Sequence, residues 1–259
     1  KEGLDPDSYV DTLREDYEYN GKHYGAPYSR STNLMYWNTD DLAAAGLPAD
    51  RGPETWEEFD EWAAKLKEQT GNPALVIPDG SNYLDWYFQG MVWAFGGAYS
   101  NEWEPSFSDP KTLEAAKFLQ DQVNKGHIEI STDPTVAFGN GNASSLLQST
   151  GSLAGLTDSA TIPFITTYLP GPGPSAATGG AGLAIPNGIS DTRKSNAIKF
   201  VDFITNTENT IMFSQKTGYM PVRKDALEDP EERTFLDENP NAETAIKQLN
   251  ENTKPQDYA

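Results

Sequence analysis

The chain has 259 residues, 39 acidic against 19 basic, and a formal net charge of −20. Such a surface repels nucleic-acid phosphates and anionic membranes, so neither is an expected partner. There is no cysteine, which excludes disulfides, thiolate metal sites and cysteine nucleophiles together. With 37% hydrophobic and 11% aromatic residues, the chain can bury a real core, in one large domain or two modest ones. No apolar run approaches the length needed to span a bilayer. The sequence opens on KEGLDPDSYV, with neither Met nor a targeting segment, as expected of a mature or trimmed chain.

In chain order, GKHYGAPYS (21–29) predicts a short hairpin, and NLMYW (33–37) a buried strand. TWEEFDEWAAKLKEQTG predicts a helix capped by Thr55, with Glu58 three residues on as a capping box. Its apolar residues Trp56, Phe59, Ala63 and Leu66 recur at helical spacing, and Gly71 closes it. A strand at ALVIP follows, then an aromatic helix in NYLDWYFQGMVWAFGG, and then a helix capped by Asp109 with Pro110 at its first position. NGNASSLLQSTGSLAGL predicts strand, turn and helix start; YLPGPGPSAATGG (168–180) is the most linker-like stretch, before a strand in GGAGLAIP. DTRKSNAIKFVDFITN predicts a helix with Ala197, Phe200, Val201 and Ile204 on one face, and ITNTENTIMFSQ a helical run ended by Gly218. The acidic remainder, to residue 259, predicts helix in pieces. Alternating strands and helices give the α/β class.

Chemical signatures are few. No dinucleotide or phosphate loop and no nucleophile elbow is present. His23 and His127 are the only histidines; on turn-flanked segments they predict polar surface residues rather than catalysts or zinc ligands. Paired carboxylates remain open as glycosidase chemistry, with Asp85 beside Trp86 as the local candidate. Trp86 and Trp93 fall on one helix face, as core aromatics or as a sugar platform. On KTGYMPVRK, Tyr219 sits between the helix stop Gly218 and Pro221, where a loop holds an aromatic in a fixed place.

The ordered set YGAPYSRSTNLMYWNTDDLAAAGL, PETWEEFDEWAAKL, GGAGLAIP and AIKFVDFITNTENTIMFSQKTGYMPVRKDAL resembles the extracellular solute-binding proteins of ABC importers, the maltose-binding-protein-like family. SRSTNLMYWN, LQSTGSLAGL, GGAG and TGYMPV are similar to segments of its sn-glycerol-3-phosphate-binding group. The resemblance implies a two-lobe, type II periplasmic-binding-protein-like α/β fold, represented here mostly by the second lobe and cut at both ends. Residues 1–30 would be a remnant of lobe 1 leading to the hinge, and 31–177 the body of lobe 2. Residues 178–216 would return to lobe 1, and 217–259 to lobe 2.

The same resemblance implies ligand contacts at Ser31, Ser149, Gly180 and Tyr219. Arg30, the one cation of the hinge segment, is the candidate for balancing a phosphate, and Trp86 for stacking on the ligand. The function implied is capture of glycerol 3-phosphate or a glycerophosphodiester for a membrane permease, without catalysis or cofactor, by an extracellular or periplasmic monomer. The longer parent would be tethered as a lipoprotein. A neutral mono- or oligosaccharide is the alternative ligand, and a carboxylate-dependent glycoside hydrolase the alternative activity.

Overall fold

A computed structural model describes residues 4–257. A short helix α1 (Asp11–Arg14) precedes the small hairpin β1 (Glu18–Tyr19) and β2 (Lys22–His23). Next comes β3 (Ala26–Asn38), followed by α2 (Thr39–Ala44), α3 (Trp56–Thr70), β4 (Leu75–Pro78) and α4 (Leu84–Ala94). A second hairpin, β5 (Ser100–Asn101) and β6 (Glu104–Pro105), leads to α5 (Pro110–Asn124), β7 (Ile128–Ser131), α6 (Pro134–Gly139), β8 (Ser145–Ser149) and α7 (Leu153–Ser159). Then follow β9 (Phe164–Thr167), β10 (Ala176–Leu183), α8 (Asp191–Ile204), α9 (Thr207–Thr217), α10 (Lys224–Glu228), α11 (Pro230–Glu238), α12 (Pro240–Glu251) and β11 (Thr253–Lys254).

The backbone of the molecule is β3. The predicted hairpin at 21–29 and strand at 33–37 are corrected to one strand of 13 residues, preceded by a hairpin that ends at His23. Arg30 to Asn38 are buried without a break, because both faces of the strand are covered. Met35 and Trp37 pack with Trp56, Phe59, Trp62 and Met91 of α3 and α4. Leu34 and Tyr36 pack on the other face with Phe138, Leu153, Val222 and Leu249. A strand covered on both faces loses the polar alternation that marks a half-exposed one.

The sheet order is β11-β10-β3-β8-β4-β7, with β9 also on β3. Along one edge β3 pairs antiparallel with β10 over its first half and with β9 over its second. Its other edge carries β8, from Asn33↔Ser149 to Trp37↔Ser145. At Arg30, where β8 has ended, that edge is taken by Met220 through an isolated bridge. Thus β3 gathers strands and loops far apart in sequence around one short stretch, 30–33.

The helix ends follow their caps. Thr55 Oγ1 accepts from Glu58 N at 3.1 Å, while the Glu58 carboxylate reaches back to Glu54 N at 2.6 Å, one residue before the cap. Asp109 caps α5 with Pro110 at its start. Three expectations change. The helical run expected through ITNTENTIMFSQ breaks at Thr205, and Asn206 caps a separate α9 by accepting from Asn209 N. On α8 only Val201 is buried; Phe200 is 59% exposed and faces away from the core. The linker-like stretch gives way to strand already at Ala176. The acidic C-terminal remainder is helical in pieces as far as Glu251, with β11 added, while the last two residues lie outside the described part.

Candidate functional site

A cleft of about 700 Å³ opens at the C-terminal ends of β4, β7 and β8, where they meet β10 and the Tyr219 loop. Ser31, Trp86, Ser149, Gly180 and Tyr219 all line it, together with Asp85, Tyr87 and Gln148. Five of the six residues singled out as ligand contacts therefore share one cavity, although they come from five separate segments. Ligand sites in open α/β sheets occupy this kind of position.

Each wall has a reason for its place. The Ser149 peptide is held at both ends. Its N–H lies 3.2 Å from the Tyr87 hydroxyl and donates to Gln148 Oε1 at 2.8 Å, while its carbonyl accepts from Tyr36 Oη at 2.9 Å. The Tyr87 hydroxyl in turn donates to Gln148 in a short contact, and burial raises its pKa well above the usual phenol value. Ser149 is thus fixed with its hydroxyl capping the following turn, accepting from Gly151 N. Trp86 Nε1 donates to Thr178 O at 3.1 Å, which anchors the ring against β10. Gly180 has φ +90, and a Cβ there would lie 1.9 Å from Ser29 O; only glycine allows β10 so near β3.

Tyr219 follows the left-handed cap Gly218, at φ 89. Its ring stacks on Phe213, centroids 5.5 Å apart and 10° from parallel, and Phe213 stacks on Tyr28. Its N–H donates to Thr217 Oγ1 at 3.1 Å, and the next N–H, of Met220, to Arg30 O at 2.7 Å. A rigid aromatic column therefore presents Tyr219 to the cleft.

Arg30 is the correction. It does not line the cleft. Strand alternation turns it to the side opposite Ser31, where it is 3% exposed and paired with Asp16 in a short contact. It also donates to the Tyr17 hydroxyl at 2.6 Å, with its guanidinium 5.2 Å from the Tyr17 ring centroid. Burial pulls the guanidinium down to about 10 and pushes the Tyr17 phenol up to about 12; both keep their protons at neutral pH.

The tryptophan pair splits. Trp93 sits away from the cleft, donating to Asp257 Oδ2 at 2.9 Å beneath Lys254. His23 faces Glu18. His127 is buried rather than on the surface, with Nδ1 2.9 Å from Gln122 Oε1 and 3.2 Å from Asp60 Oδ1. Sequence reasoning missed Gln148 and Tyr87. Gln148 is visible only as a polar residue inside an apolar strand, and Tyr87 reads as one core aromatic among several.

Residues 2–244 match the family model described as bacterial extracellular solute-binding protein. The chain belongs to that family. Among solved structures it is similar to UgpB from Mycobacterium tuberculosis in complex with glycerophosphocholine, 47% identical with a TM-score of 0.93, covering 99% of this chain and 66% of that one. Among curated proteins it is similar to the sn-glycerol-3-phosphate-binding periplasmic protein UgpB of Escherichia coli (strain K12), 27% identical over 241 residues, 86% of this chain and 54% of that protein. The chain therefore spans about half the length of the curated relatives it matches. The fold is also that of the cyclic alpha-maltosyl-1,6-maltose binding protein from Arthrobacter globiformis, 21% identical with a TM-score of 0.80, covering 97% of this chain and 66% of that one. The fold class is that of type II periplasmic binding proteins. Among the described residues no helix is long and apolar enough to cross a membrane.

Proposed function

We propose that this chain forms a large part of the solute-binding component of an ABC importer and captures a glycerophosphodiester in the Ser31–Tyr219 cleft. One observation carries the reading: Ser31, Ser149, Gly180, Tyr219 and Trp86 meet in a single cavity whose described lining contains no Lys or Arg. Hydroxyls and close backbone suit the phosphate and glycerol oxygens. The lining carries Asp85 and Asp133, which oppose a dianionic glycerol 3-phosphate. A phosphodiester bears one negative charge, and in glycerophosphocholine that charge is balanced by a quaternary ammonium. The Trp86 face can receive such a cation, an interaction worth about 0.5–2 kcal/mol. The 47% identical relative solved with glycerophosphocholine supports the same ligand class.

The cleft would lie between two lobes joined at β3 and β10, with 31–177 as the body of the second lobe, and binding would close it. Membrane permease subunits are the partners that this role requires, and an extracellular or periplasmic place with a lipoprotein tether suits delivery to them. A monomer is sufficient, and no catalysis is needed. A neutral sugar is the second reading, favoured by the half-buried Trp86 alone. Thermal unfolding of the chain with glycerophosphocholine, glycerol 3-phosphate and maltose separates the readings. Glycerophosphocholine should raise the midpoint most; a larger rise with maltose selects the sugar. Release of choline, phosphate or glucose during incubation would mean an enzyme.

A further inference from the structure

We infer that the Asp16–Arg30 ion pair positions the cleft, acting through the two backbone segments that carry Gly180 and Tyr219; this rests on the binding role proposed above. Arg30 stands where β3 is held on both edges. On one edge it is in register with Gly180, and on the other it bridges Met220, the residue after Tyr219. Its carbonyl accepts from Met220 N at 2.7 Å. Ser31, a cleft residue, is the next residue in the chain. Any rotation of Arg30 therefore moves three walls together.

The side chain is what prevents such a rotation. A 3% exposed guanidinium has no solvent to turn into, and its partners come from a third segment, the turn Glu15–Tyr17. Asp16 carries two loads. The oxygen that meets Arg30 also accepts from Thr178 Oγ1 at 3.1 Å, two residues before Gly180. Tyr17, which takes the second Arg30 bond, packs directly against Gly182, where a Cβ would come within 2.3 Å of its ring. The turn thus clamps β10 at 178 and 182, on both sides of Gly180, and clamps β3 at 30. A charge buried for packing alone would be replaceable by apolar side chains. Here the charge joins three chain segments at their closest approach, directly behind the cleft.

Hydrogen exchange of the ligand-free chain tests this without reference to any ligand. In Asp16→Asn, peptides spanning 178–182 and 218–222 should exchange about tenfold faster, as expected when a charge-assisted bond is lost, while α3 keeps its protection. Thr178→Val, which removes one Asp16 contact and leaves the ion pair, should loosen 178–182 alone; it serves if Asp16→Asn does not fold. Unchanged exchange in both segments, or an equal loss in α3, overturns the positioning role. With glycerophosphocholine as probe, Asp16→Asn should then bind about tenfold more weakly, through faster dissociation. A wild-type chain that does not bind this probe overturns the ligand assignment, while the exchange pattern still decides the role of the pair.

Discussion

At the scale of single residues, the cleft depends on two that cannot be exchanged freely. Tyr219 is rigidly stacked and needs only its hydroxyl to serve a polar ligand. Tyr219→Phe keeps the stack and should weaken glycerophosphocholine binding by roughly three- to tenfold, the worth of one neutral hydrogen bond; titration of the two proteins side by side measures it. Gly180→Ala meets a backbone oxygen at 1.9 Å from a left-handed backbone. It should cost at least about 1–3 kcal/mol in urea unfolding and abolish binding as well. The resemblance of GGAG and TGYMPV points to both positions, and both line the cleft. Arg30 lies away from the cleft because Ser31, beside it, faces the cleft, and strand alternation sends adjacent side chains to opposite sides. No local signal in the sequence pairs Arg30 with Asp16, since that contact is made by the tertiary fold.

Among the elements, those with strong local codes form where the sequence predicts them. The Thr55 cap, the Trp56-Phe59-Ala63-Leu66 stripe and the Gly71 stop all stand in α3 as expected. Thr55→Ala should destabilise the chain by about 1 kcal/mol, visible as a lower denaturant midpoint with an unchanged slope. The misreadings fall where tertiary context overrides pattern. β3 is covered on both faces, so its thirteen residues show no polar alternation, and the sequence pattern divides them into a hairpin ending at 29 and a strand starting at 33. The α8–α9 join is set by Asn206, whose side chain caps the new helix; within a run of polar residues such a cap looks like helix interior. Periodicity puts Phe200 on the core face of α8, yet it points outward at 59% exposure.

For the whole molecule, the acidic balance sets how stability responds to pH. Asp225 lies against Arg223, which holds its carboxyl below the usual range, and Glu58 is held low by Arg51. A depressed folded pKa gives stability that is present above the unfolded value near 4 and lost as pH falls further. Glu232 runs the other way. It is fully buried on α11, with Oε2 accepting from Gln215 Nε2 at 2.9 Å, and burial raises its pKa. A raised folded pKa means the native state binds the extra proton, so stability falls as pH rises from about 4.3 through the raised value. Glu232→Gln should therefore raise the unfolding temperature at pH 7.5, and the gain should vanish below about pH 4, where the wild-type carboxyl is already protonated.

On the proposed reading, the Ser31–Tyr219 cleft binds a glycerophosphodiester. Its most direct test is a calorimetric titration of this chain with glycerophosphocholine at pH 7.5, with Gly180→Ala, whose Cβ would force β10 away from Ser29 O of β3, as the control. The expected result is saturable one-to-one binding by the wild type, tighter than for glycerol 3-phosphate, and none by the variant. Equal heats from both proteins, or binding of maltose in place of the diester, would contradict it.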